Sequence, residues 1–67
     1  MSDEIQELQA AADKAADEVR EAFAAAEQKE EERGGGHYET HQAYVKAARL
    51  GKEAAAAMRR LVSALPD

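Results

Sequence analysis

Between Ser2 and Arg33, apolar residues recur at alternating steps of three and four: Ile5, Leu8, Ala12, Ala15, Val19, Ala22 and Ala26. Ala16 and Phe23 widen the stripe on one side. That period belongs to one side of an α-helix. No Gly or Pro interrupts the segment, so a single helix over about 3–33 is predicted. Ser2 is placed to cap it, and Asp3 and Glu4 put negative charge beside the unpaired N–H groups of the first turn. Gly34, Gly35 and Gly36 supply the left-handed freedom that ends a helix and turns the chain back. A second helix is predicted over about 37–65, with Gly51 its weak point and Pro66 forbidding continuation. Two helices on the order of 45 Å long, joined by a short turn, must lie antiparallel. The fold class is therefore all-α: an antiparallel two-helix hairpin, coiled-coil-like, forming one domain over 1–67 and able to complete a larger bundle with a partner.

In the second helix the same stepping selects His41, Tyr44, Ala48, Gly51, Ala55, Met58, Val62 and Leu65 as the seam against the first. The small residues among them would let the helices approach closely. A second stripe, Leu50, Ala54, Ala57 and Leu61, falls on a flank turned by roughly 100°. One antiparallel neighbour buries a stripe little more than about 100° wide. Leu50 and Leu61, with Met58 and Leu65 at the border, are thus expected to stay wet and to mark a docking surface for a further protein. The candidate partner-binding residues are Tyr44, Leu50, Ala54, Ala57, Met58, Leu61 and Leu65.

Composition sharpens this expectation. A chain of 67 residues hides only about 60% of the surface that its unfolded form exposes, so a partner subunit is a physical aid. There is no cysteine, which removes disulfides, thiol catalysis and Cys-based zinc sites. Net charge is −5, against non-specific binding to nucleic acid or anionic membrane. The start MSDEIQ has neither a basic n-region nor an apolar h-region, and no run approaches the roughly 20 residues of a membrane span, so a cytoplasmic address is expected. Charge also divides by helix. Residues 1–33 hold eleven acids against four bases, and residues 37–65 hold five bases against two acids. Unlike charge favours pairing of unlike helices.

Few constellations could carry chemistry. His37 and His41 stand at i and i+4, but Glu39 between them points away from their shared face, and two ligands without a third make a poor metal site. No metal or other cofactor is expected. Ser63 and the histidines come without a concave scaffold to desolvate a nucleophile, so the chain is not expected to be an enzyme. Lys46, Arg49 and Arg60 share an outward sector, but Glu53 interrupts it and no aromatic is there to stack on a base.

The Arg33–Gly36 turn RGGG and the stretch HQAYVKAARLGKEAAAAMRRLVSAL from His41 resemble the small needle co-chaperones of type III secretion, of the YscE and PscE kind. Tyr44 would take that family's aromatic place in the second helix, and Ala54, Ala57, Met58, Leu61 and Val62 its aliphatic run. The resemblance implies a cytoplasmic helper that pairs with a tetratricopeptide-like chaperone and so helps hold the needle subunit before export. Ala54 to Ala57 depart from it, since the family has larger aliphatics there. The alternative from the residues alone is a second copy of the chain, giving a homodimeric four-helix bundle like the plasmid copy-control protein Rop.

Overall fold

The computed structural model describes residues 2–66, apart from the side chain of Ser2. Two helices pack against each other: α1, Ser2–Arg33, and α2, Tyr38–Ala64. The hairpin is a rod with Cα extents of 48 × 13 × 13 Å. The long dimension is what the 32 residues of α1 give at about 1.5 Å each. The expected cap at Ser2 rests on a side chain outside the described residues. Asp3 and Glu4 do lie in the first turn of α1. No helix among the described residues is long and apolar enough to cross a membrane.

The turn is built from specific bonds. Gly34 takes φ +90°, and its N–H donates to the Glu30 carbonyl at 2.8 Å, which closes α1 in the left-handed capping motif that glycine adopts without a Cβ clash. His37 lies just outside α2 as its N-cap, and its Nδ1 accepts the Glu39 N–H at 3.1 Å. Leu65 is the C-cap, so α2 is one residue shorter at each end than expected. Gly34→Ala is expected to lower stability by about 1–2 kcal/mol, the strain of an L-residue in that conformation. Gly36→Ala, where a Cβ meets nothing within 4 Å and φ is not positive, should change it by less than about 0.5 kcal/mol. Paired thermal melts check this, and equal midpoints would count against the capping role.

Burial on α1 follows the expected stripe. Ala12 and Ala26 are buried, and Ile5, Leu8, Ala15, Val19 and Ala22 are half-buried. On α2 the buried positions are Thr40, Ala47 and Ala57, with Ala43, Leu50, Ala54, Leu61 and Ala64 half-buried between them. These eight also step by three and four, one residue earlier than the seam read from the sequence. A one-residue offset turns the helix by about 100°. Leu50, Ala54, Ala57 and Leu61 therefore face α1 and belong to the intramolecular seam, while His41, Ala48, Ala55, Met58, Val62 and Leu65, assigned to that seam, are exposed.

The reason lies in size and in one hydrogen bond. The α1 stripe is mostly alanine, so the axes come closest when α2 also presents small side chains. The line that faces α1 carries only Leu50 and Leu61 as large side chains, whereas the other would bring His41, Tyr44, Met58, Val62 and Leu65 between the axes. Thr40, only 2% exposed, donates its Oγ1–H to the Gly34 carbonyl at 2.9 Å. This satisfies a hydroxyl that would otherwise be costly to bury, and it sets the rotation of α2 at its first turn.

Candidate functional site

With α1 covering one side of α2, the surface left over is a row on its outward side. Val45 and Met58 are each 50% exposed, Val62 64% and Leu65 46%. Ala48 and Ala55 are exposed among them. Steps of three, seven, three, four and three from Val45 through Ala48, Ala55, Met58 and Val62 to Leu65 make this one side of the helix. It combines large side chains toward the two ends of the row with small ones in the middle, where Gly51 has open space above its Cα.

Only Met58 and Leu65 of the seven residues expected to bind a partner lie on this row. Leu50, Ala54, Ala57 and Leu61 are in the seam, and Tyr44 is engaged within the chain. Its ring packs against Phe23 of α1, with centroids 6.3 Å apart and planes tilted by 58°, near the edge-to-face geometry aromatic pairs prefer. Its hydroxyl donates to Glu30 Oε1 at 2.8 Å. Val45 and Val62 extend the exposed row. The sequence periodicity puts Val62 in the seam, and Val45 fits neither stripe because it lies further round the helix.

The Phe23–Tyr44 contact also shows which side of α1 borders the exposed row. Ala16, Phe23 and Glu30, spaced by seven, form the near edge, and Asp13, Arg20 and Glu27 form the next row out, all exposed. Arg20 pairs there with Asp17 on its own helix. On α2, Lys52 and Arg59 continue the line of Val45 at steps of seven, along the outer edge of the row, with Arg49 behind them. These three cations are exposed and make no ion pair among the described residues.

Charged and polar groups concentrate at the turn. Arg33 Nε sits 3.2 Å from Glu39 Oε2, an oxygen that is shut off from water and takes no hydrogen bond, so its charge rests on Arg33. The Tyr44 phenol is raised above its ordinary value of 10.0, first by the hydrogen bond to Glu30, then by desolvation and by the charges of Glu30 and Glu27. A group whose folded value is raised contributes stability below its unfolded value and loses it as pH rises through the folded one. The melting temperature of the wild type should therefore fall above about pH 10. Tyr44→Phe should melt lower at pH 7 and lack that alkaline step; an identical pH profile for the two would dismiss the bond as a contributor.

His37 and His41 do not combine. The Nδ1 of His37 is taken by the Glu39 N–H, and its ring stacks on Tyr38 at 5.2 Å, while His41 is exposed one turn on. No group of three or more histidine and carboxylate side chains gathers among the described residues. A depression of about 650 Å³ on the other flank of α2 is lined by Leu8, Arg60 and Ser63 among others, and Arg59, on the line of α2 between that flank and the exposed row, borders it too. It brings no imidazole to the serine. Comparison of the chain with protein-family models, with curated proteins and with solved structures finds no match.

Proposed function

We propose that this chain is a cytoplasmic protein-interaction module that docks through the outward side of α2. The observation that carries the proposal is the position of Met58, Val62 and Leu65, about half exposed or more on a side of α2 turned by about 100° from the one that α1 covers. Removing three such side chains from water is worth several kcal/mol at about 25 cal/mol per Å². The interior gains little of this kind, since its fully covered side chains are alanines and one threonine. In its most specific form, supported by the resemblance of the turn and of the stretch from His41, the module is a co-chaperone of type III secretion. It would pair with a tetratricopeptide-like chaperone, itself helical, and help hold the needle subunit before export.

Val62→Asp and Met58→Asp are expected to weaken such a complex at least tenfold each, about 1.4 kcal/mol, with helicity unchanged. Calorimetric titration of the wild type and both variants into the repeat-protein chaperone and needle subunit of the same cell measures this. No complex with the wild type would remove the secretion reading. A complex indifferent to both substitutions would remove α2 as its docking surface.

A further inference from the structure

We infer that the exposed row of α2 takes a single amphipathic α-helix of another protein, carrying Asp and Glu along the edge that meets Lys52 and Arg59. The inference rests on the reading of α2 as a docking side and names what fits there. The row is one helix wide: apolar exposure stops at the basic flank on α2 and at the charged row of Asp13, Arg20 and Glu27 on α1. A lone helix with an apolar stripe matches that width.

Charge then selects the occupant. Residues 37–65 carry net +3, and the cations beside the row are free of ion pairs among the described residues. An acidic edge brings them the opposite charge and steers encounter. A second copy of this chain fits less well in either arrangement. A second α2 would set the same cations against one another. A second α1 has its apolar stripe already turned to its own α2, and the side it leaves exposed is charged, so it offers the row no apolar match.

Two synthetic helices of equal length and one leucine stripe, one flanked by glutamates and the other by lysines, provide the probe. In amide NMR titrations the glutamate-flanked helix should shift Val45, Ala55, Met58 and Val62. It should bind about tenfold more tightly than the lysine-flanked one at low ionic strength, with the margin shrinking as salt is added. The double variant Lys52→Glu/Arg59→Glu should reverse the order. Equal binding of both helices at these residues would overturn the acidic occupant and leave the docking side intact. Absence of binding, or shifts elsewhere, would count against the docking side as well. A wild-type mass of twice 7.3 kDa in light scattering, with these amides protected, would assign the row to a second copy and overturn the inference.

Discussion

Leu61→Asp is expected to strip the chain of most of its helix content at 25 °C, while Val62→Asp, one residue further on, leaves the circular dichroism spectrum unchanged. Leu61 is half-buried against α1 and Val62 is 64% exposed. Loss of the leucine contacts and partial desolvation of a carboxylate together cost roughly 3 kcal/mol or more. A chain of this size has about 3–10 kcal/mol in all. Isolated helices with little tertiary support are marginal in water, so opening the seam melts both. Leu50→Asp should behave like Leu61→Asp for the same reason. If Leu61→Asp kept full helicity and Val62→Asp lost it, α2 would have to be rotated to the seam that bulk apolarity suggests.

Ala47→Leu makes the same distinction by volume instead of charge. Ala47 is 0% exposed, in a seam whose closeness depends on the missing side-chain atoms. Three extra carbons there force the axes apart or the leucine off its rotamer, at about 1–3 kcal/mol. For a domain this small that lowers the melting temperature by roughly 5–20 °C. Ala48→Leu adds the same atoms on the exposed side. Alanine and leucine differ little in helix propensity, so its melting temperature should move by no more than about 3 °C. Thermal melts at one concentration, far below any that drives association, read both variants. Equal melting temperatures for the two variants would mean that the Ala47 side is packed no more closely than the Ala48 side.

The helices, the glycine turn and the α1 stripe were all legible in the sequence because each rests on a local rule. Helix formers run without interruption to Arg33, the period of three and four marks one side, and Gly34 supplies the one positive φ. The rotation of α2 was not legible from apolarity. Tyr44, Met58 and Val62 carry more apolar area than Thr40, Ala43 and Ala47, yet close approach to an alanine stripe favours the smaller set. A signal was present. Thr40, Ala47, Ala54 and Leu61 recur every seven residues, with Ala43, Leu50, Ala57 and Ala64 interleaved, an unbroken heptad pattern headed by a polar residue. Giving Thr40 its place in that pattern requires a partner for its hydroxyl, and the partner is a carbonyl six residues earlier that only the folded turn brings near. The same rotation moved the candidate docking residues. The expectation of apolar surface left over on α2 carried across, but onto Val45 and Val62 in place of Leu50 and Leu61.

The bonds that tie the chain across its bend, Thr40 to Gly34, Tyr44 to Glu30 and Arg33 to Glu39, all fall between Glu30 and Tyr44. Beyond them the two rods meet through mostly small side chains, with Ile5, Leu8 and Val19 of α1 and Leu50 and Leu61 of α2 as the larger contacts and no hydrogen bond between the helices among the described residues. Order should therefore spread from the bend like a closing zip, with the far tips fraying first. Met58, Val62 and Leu65 sit at that loose end, so a visitor settling there would latch the very stretch that the hairpin itself holds least.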